Sequence, residues 1–387
     1  MPIPALKHHI VLVSGQAVPS VLGASLPGKE PSHIHAIVTP TMRPAAYLTR
    51  KALDARGCLA SFTEYELSDN ANQHAIYRVL ENIRAACVGD SLGVNITGGT
   101  KLMALAASEW AYASGVPAFY IDTAGELAIL IARPWQYANL PDVLTVRDLL
   151  AANGFDMERR DTSPVPEERR NVLSRLLNFT STPKGERALG NLNRLAEKAS
   201  RADLCVRDDG PADTAWKELL RLCGEAGTLQ IGADHVAFPD EEARRWCNGV
   251  WFEEYIKMTL YRLKAEKRLK DWATSVTVCR GGVKNEIDGL FAVRNRLFTI
   301  ECKTSAMRSN AVQQTEKALA EKTTGVLYKA DSLHDRLGGI FARAMLCSIR
   351  PLTDVDRERA KQLGIRVVCG RELQLLPDKI SKWIKDV

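Results

Sequence analysis

The 387-residue sequence predicts an α/β protein in three parts: an N-terminal parallel-sheet domain (1–143), a helical connector (144–240) and a C-terminal mixed α/β domain (241–387). Three observations predict it. The first third alternates near-continuous apolar runs with helix-patterned stretches, which is how a sheet covered on both faces reads. The middle third is helix-patterned and broken by Ser163-Pro164-Val165-Pro166 and Asp208-Asp209-Gly210-Pro211. The last third carries a hairpin with carboxylates and a lysine on it, together with the whole basic excess of the chain.

In the first part, strands are expected at 9–14, 34–39, 58–67, 91–96 and 117–122, with helices at 45–56, 71–86 and 102–114. Asp122-Thr123-Ala124-Gly125-Glu126 reads as a hairpin turn into a strand at 127–131. Ligands of such folds sit beyond the carboxyl ends of the strands. The loops expected there are Ser14-Gly15-Gln16, Thr39-Pro40-Thr41-Met42 and Asn95-Ile96-Thr97-Gly98-Gly99-Thr100-Lys101. Glycines admit a close backbone approach, a helix N-terminus offers free N–H groups, and Lys101 adds a full charge, so an anion is the expected guest. The spacing is neither Gly-x-Gly-x-x-Gly nor a nucleoside-triphosphate loop. A plain strand-to-helix turn capped by Thr97 or Thr100 is the structural alternative.

The connector shows helical patterning at 146–150, 172–177, 185–198 and 216–223 and is expected to be a winged-helix-like link or dimer support. In the last part, Asn285-Glu286-Ile287-Asp288 leads through Arg294-Asn295-Arg296, a tight turn in which Asn tolerates positive φ, to Glu301-Cys302-Lys303. Residues two apart share a strand face, so Glu301 and Lys303 project together and Asp288 lies beside Glu301 on the paired strand, while Cys302 faces the core. Carboxylates on a stiff support with an ammonium beside them suit a metal-dependent phosphodiesterase; the bland alternative is a solvated Glu–Lys pair. Gly249-Val250-Trp251-Phe252-Glu253-Glu254-Tyr255 opens an apolar helix, from which Glu253, or else Glu254, adds an acid to the site.

Charge supports that reading. Residues 1–143 hold 10 Lys+Arg against 11 Asp+Glu, residues 144–240 hold 14 against 16, and residues 241–387 hold 28 against 19, which accounts for the net +6. A net of +9 on the last part is the footprint expected for a phosphate backbone. Lys257, Lys264 and Arg268 recur there at helical spacing, with a solvated helix face as the alternative. Nine cysteines without a Cys-x-x-Cys pair argue against a disulfide framework or zinc ribbon, and no long apolar run or signal segment is present, so a cytoplasmic protein without a membrane span is expected.

The order helix, three strands, helix (310–322), strand (325–329), with Asp288, Glu301 and Lys303 on the motif positions, resembles the PD-(D/E)xK nuclease superfamily, which would put that family's helical glutamate at Glu253. The strand followed by Thr-Gly-Gly-Thr-Lys, with Ser-Gly-Gln after the first strand, resembles CARF domains, the Rossmann-like sensors of type III CRISPR defence. Joined in this order, the two halves resemble the CRISPR ancillary nucleases. That resemblance implies Mg²⁺ or Mn²⁺ on Asp288 and Glu301, water positioning or charge stabilisation by Lys303, and cleavage of single-stranded RNA or DNA. It also implies cyclic tetra-adenylate as activator, bound across a homodimer axis by Ser14, Gln16, Thr39, Met42, Asn95, Thr97, Gly98, Gly99, Thr100 and Lys101. Two rivals are a restriction- or repair-type DNA endonuclease without ligand gating and a non-catalytic, nucleotide-sensing DNA-binding regulator.

Overall fold

The structure is a computed structural model and describes residues 3–122, 124–199, 203–304 and 337–386. The helix and strand expected at 310–322 and 325–329 lie outside the described residues.

The N-terminal sheet is ordered β3-β2-β1-β4-β5-β6-β7, from β1 (His8–Leu12), β2 (His33–Val38), β3 (Ser61–Glu66), β4 (Leu92–Asn95), β5 (Ala118–Ile121), β6 (Leu127–Leu130) and β7 (Gln136–Asn139). The first five run parallel and the last two antiparallel. Chain direction across the sheet reverses between β1 and β4, so the loops after these two strands flank the crevice where α/β folds take ligands. Helices α2 (Arg43–Ala55), α3 (Gln73–Ala86) and α4 (Lys101–Ser114) cover the sheet, and a short α1 (Val18–Gly23) leads off the β1 loop. Every expected element is present; α1 and β7 are additional, each too short to show a period in sequence.

The connector contributes α5 (Val146–Ala152), β8 (Asp156–Asp161), α6 (Glu167–Thr180), α7 (Pro183–Ala199), β9 (Cys205–Arg207), α8 (Thr214–Glu225), β10 (Gln230–Ile231) and β11 (His235–Ala237). Its three small strands pair in the order β10-β11-β9, giving a helix-helix-strand-helix-strand-strand succession. Strand β8, Asp-Met-Glu-Arg-Arg-Asp, has no strand-like alternation of apolar residues. It is an edge strand, where charge on both faces is tolerated.

That edge belongs to the C-terminal sheet. Its order is β16-β15-β14-β13-β12-β8, from β12 (Asp271–Arg280), β13 (Val283–Val293), β14 (Arg296–Lys303), β15 (Ala342–Ser348) and β16 (Arg366–Cys369). Helices α9 (Glu241–Arg245), α10 (Trp251–Ala265), α11 (Asp354–Gln362) and α12 (Leu376–Lys385) accompany it. Period-2 alternation splits the strands between two cores. Phe291, Val293, Phe298, Ile300 and Cys302 join α10, α12 and connector residues such as Trp216 and Leu219. Ala273, Val276, Leu290, Ala292 and Leu297 join α5 and N-terminal residues such as Val18, Leu22 and Ala46. One sheet thus supplies a face to each of its neighbours.

The β13–β14 hairpin also pins the domains together. Its two-residue turn, Arg294-Asn295, has φ of 52° and 57°. Asn295 is 1% exposed and spends its amide on the N-terminal domain. Its Oδ1 accepts from the N–H groups of Val143 and Leu144 at 3.0 and 3.2 Å, and its Nδ2 donates to the carbonyls of Gly125 and Pro141 at 2.9 and 3.1 Å.

Candidate active site and ligand-binding turn

Asp288 and Glu301 meet because β13 and β14 are antiparallel, with Gly289 opposite Ile300. Asp288 Oδ2 accepts from the Cys302 N–H at 2.6 Å, and Lys303 Nζ donates to Glu301 Oε1 at 2.7 Å. Cys302 faces the opposite way and is buried in the core. Helix α10 brings the third acid. It starts after a kink at Gly249, whose φ of 129° disfavours any side chain, and a β-carbon there would lie 2.4 Å from Thr304 Oγ1, just beyond Lys303. Gly249 therefore lets the helix start close to the end of β14.

Of the two adjacent glutamates, Glu254 is committed to structure: it accepts from Arg169 Nη1 at 2.8 Å and Trp246 Nε1 at 2.7 Å. Glu253 is turned to the carboxylates. Burial pushes its carboxyl up to about 7, with the negative charges of Asp288 and Glu286 adding to the shift and Arg245 opposing it. Asp288 is also raised to about 7, by burial first and then by Glu301, against the pull of the Cys302 N–H and Lys303. Burial alone would lower the Lys303 ammonium; Glu301 and Asp288 outweigh it and hold it above the usual range.

A cleft of about 430 Å³ opens beside Glu253 and Glu286 and is edged by Arg245, Asp161 and Lys257. Two residues near the acids went unread in sequence. Glu286 sits two before Asp288 on the same strand face, so its spacing alone was a signal; Arg245 carries none. The basic run is corrected at Lys257. Lys257 is buried and donates to Asp161 and Ser163 at 2.7 and 2.8 Å, Lys264 donates to the Lys270 carbonyl at 2.7 Å, and Arg268 donates to Ser381 at 2.7 Å. Lys257 is thus an internal tie and no part of a phosphate track, whereas Lys264 and Arg268 are exposed.

At the carboxyl ends of β1, β2 and β4 the structure gathers the loops holding Ser14, Gln16, Thr39, Met42 and the 95–101 segment. A β-carbon on Gly98 would lie 1.9 Å from the Leu12 carbonyl oxygen, and Gly99 has a φ of 74°, so the turn lies flat on β1 only as Gly-Gly. Thr100 caps α4 by accepting from the Met103 N–H at 3.2 Å, and Lys101 is exposed on the first turn. Asn95 differs from the expectation. Its side chain is 2% exposed, donates to the Pro19 carbonyl at 3.2 Å and accepts from the Thr97 hydroxyl at 2.6 Å, so it braces the turn from beneath. The Thr97 hydroxyl in turn accepts from the Ile121 N–H at 2.8 Å. Thr39 is buried as well, and its hydroxyl meets that of Thr41 at 3.3 Å. Ser14 Oγ closes its own loop on Gln16, and the Gln16 amide lies against Gly339, at the start of the segment leading into β15.

A glycine turn at a helix N-terminus on a parallel sheet, joined to a carboxylate–lysine cluster on a mixed sheet, is the arrangement of a sensor–nuclease fusion, and comparison with known proteins agrees. Residues 8–149 match the family described as the Card1 CARF domain, and residues 240–387 match the Card1-like endonuclease domain. The chain therefore belongs to the CRISPR ancillary nucleases in which a CARF domain is fused to a PD-(D/E)xK endonuclease domain. It is a nuclease by its C-terminal domain. Among solved structures, protein VC1899 from Vibrio cholerae is 26% identical, with a TM-score of 0.83 over 98% of both chains. Can2 from Sulfobacillus thermosulfidooxidans, solved in complex with cyclic tetra-adenylate, shares the fold at 23% identity and a TM-score of 0.79, over 97% of this chain and 99% of that one. A type III CRISPR defence DNA nuclease activated by cyclic oligoadenylate shares it more distantly, at 22% identity and 0.52, over 90% of this chain and 46% of that one. No curated protein matches the sequence.

Proposed function

We propose that the protein is a metal-dependent nuclease for single-stranded RNA or DNA, switched on by a cyclic oligoadenylate, with cyclic tetra-adenylate as the activator. The observation that carries this reading is the convergence of Glu253, Asp288, Glu301 and Lys303, with two of the acids raised to about 7 by burial and mutual repulsion. Buried carboxylates that disfavour one another's charge fit a hard divalent cation, and an all-oxygen donor set points to Mg²⁺ or Mn²⁺. Asp288 and Glu301 would hold the ion and Glu253 would complete the acidic set. When bound, it supplies Lewis acidity to the scissile phosphate and to water. Lys303 holds one oxygen of Glu301 and leaves the other to the ion, so the ammonium stays beside the acids, where it can orient water or steady the developing charge.

On the sensor side, Ser14, Gln16, Thr39, Met42 and the Thr97, Gly98, Gly99, Thr100 and Lys101 turn receive the anionic ring, with Asn95 as their brace. The Can2 complex with cyclic tetra-adenylate supports this choice of guest. A homodimer completes the pocket. Leu102, Leu105 and Tyr112 stand 53%, 66% and 63% exposed on α4, an apolar face continuous with the turn, and we assign it to a second copy of the chain. Gln16 against Gly339 and the Asn295 plug give the two domains direct contacts through which ligand binding can bias the cleft. All nine cysteines are free thiols, in keeping with a cytoplasmic setting, and no described helix is long and apolar enough to cross a membrane.

The test is to incubate pure protein with labelled RNA and single-stranded DNA, with and without each cyclic oligoadenylate and Mn²⁺. Cleavage that requires both ligand and metal supports the reading. A rate independent of every ring favours an ungated endonuclease, and ligand binding without cleavage favours a regulator.

A further inference from the structure

Four of the chain's seven histidines, His8, His9, His33 and His35, sit in the first halves of β1 and β2, at the end of the sheet opposite the ligand-binding turn. Two of them meet a thiol there. Among the described residues, one set of three His, Cys or carboxylate ligand atoms lies within 4.8 Å of one another: those of His8, His35 and Cys87, all buried. His8 Nδ1 is 3.0 Å from His35 Nε2, and Cys87 Sγ is 3.6 Å from that same nitrogen. Two Zn–N bonds of roughly 2.05 Å and one Zn–S bond of roughly 2.3 Å at tetrahedral angles would separate the donors by roughly 3.3 Å and 3.6 Å. The His8–His35 and His35–Cys87 separations are within a few tenths of an ångström of those values.

The outer contacts fit as well. Each histidine has one nitrogen facing the cluster and the other held from behind: His8 Nε2 by Asp90 Oδ2 at 3.3 Å, His35 Nδ1 by the Tyr65 hydroxyl at 3.1 Å. Metal-bound histidines are characteristically oriented this way, by a carboxylate or oxygen on the far nitrogen. Asp90 is itself fixed by Lys7, whose Nζ lies 2.9 Å from Oδ2. Cys87, the residue that ends α3, and Asp90 both line a cleft of about 700 Å³, which gives an ion a route in from solvent and leaves a fourth position open to water.

We propose that His8, His35 and Cys87 form a site for a thiophilic divalent cation of the zinc class, stapling β1 and β2 to the end of α3. Binding replaces the Cys87 S–H by an S–metal bond and releases that proton to solvent, and His35 presents a bare Nε2 with its proton on Nδ1 facing Tyr65. The metal-free arrangement is a hydrogen-bonded chain from Tyr65 through His35 and His8 to the Asp90 carboxylate. This site is separate in place and in chemistry from the carboxylate cleft, which takes hard cations.

The test uses the full chain carrying Asp288→Asn, which blunts the nuclease cleft, titrated with Co²⁺ and then Zn²⁺. One equivalent of Co²⁺ should produce a thiolate-to-cobalt charge-transfer band that Zn²⁺ displaces. Cys87→Ser should remove the band, and Zn²⁺ should raise the melting temperature of the parent but not of Cys87→Ser. Should Cys87→Ser fail to fold, Asp90→Asn decides: loss of the carboxylate behind His8 should weaken binding by about 10- to 100-fold. Absence of the band, its survival in Cys87→Ser, an unshifted melting temperature with Zn²⁺, or unchanged affinity in Asp90→Asn would each overturn the site.

Discussion

In the nuclease cleft, Glu253 and Asp288 are held at about 7 because burial and their neighbours' charges oppose ionisation. In the CARF turn, Asn95, Thr97 and Thr100 are each hydrogen-bonded within the turn or to the strands and helix it joins. The first region is electrostatically frustrated as it stands; the second is satisfied by its own hydrogen bonds and leaves Lys101 exposed at the start of its helix. A site that performs chemistry can hold such strain, whereas a sensor gains affinity from being preorganised. Disturbing each region in turn should therefore produce opposite signatures.

The largest effect is expected at Asp288. Asp288→Asn should lower the metal-dependent cleavage rate by roughly 10²-fold or more while leaving activator binding unchanged, measured by single-turnover cleavage and calorimetry. It should also stabilise the metal-free fold at high pH. Both acids titrate above the ordinary unfolded carboxyl value, so their contribution to stability is full below that value and is lost as pH rises through about 7. The melting temperature of Asp288→Asn minus that of the parent, in chelator, should grow from pH 5 to pH 8. No growth would mean that Asp288 is not strained.

The same strain predicts proton–metal competition. Apparent Mn²⁺ affinity should climb through the region of pH 7, by up to about tenfold per pH unit for each proton displaced, and then level off. Activator binding should show no such rise, which a titration at several pH values would reveal. In the turn, Lys101→Ala removes a charge-assisted contact of roughly 1.5–3 kcal/mol, so the activator midpoint should shift about tenfold or more, with the rate recovering at saturation. An unshifted midpoint would remove Lys101 from the ligand site.

The smallest catalytic effect is expected at Glu254. Glu254→Gln leaves Arg169 and Trp246 with a weaker partner, so stability should fall by about 1–3 kcal/mol while cleavage at low temperature stays within roughly threefold of the parent. A large loss of rate at unchanged stability would exchange the roles of Glu253 and Glu254.

The strands of the N-terminal sheet were legible because parallel strands covered on both faces are written as apolar runs, and β13–β14 was legible because Asn295 marks its turn. Asp288, Glu301 and Lys303 could be placed on one face from the period of two. Polar β8 could not be read, since an edge strand lacks that alternation, and neither could the inward turn of Asn95, which depends on where Pro19 lies. Lys257 read as a surface residue like Lys264 and Arg268 because spacing along a helix does not reveal that Asp161 waits beneath it. His8, His35 and Cys87 are far apart in the chain, so only the fold assembles them.

The Asn295 plug bears on how such a protein can be cut or recombined. The hairpin that carries Asp288 and Glu301 is fastened at its tip to residues 125 and 141–144, and the sheet it belongs to takes its edge strand from 156–161. A fragment beginning near residue 240 would leave the Asn295 amide without its four partners, β12 without its edge, and one face of the sheet without its cover. The endonuclease half is thus no cassette. Any exchange of sensors between relatives has to carry the 141–161 stretch along with the new domain, which places the workable crossover points inside the connector rather than at the family boundary.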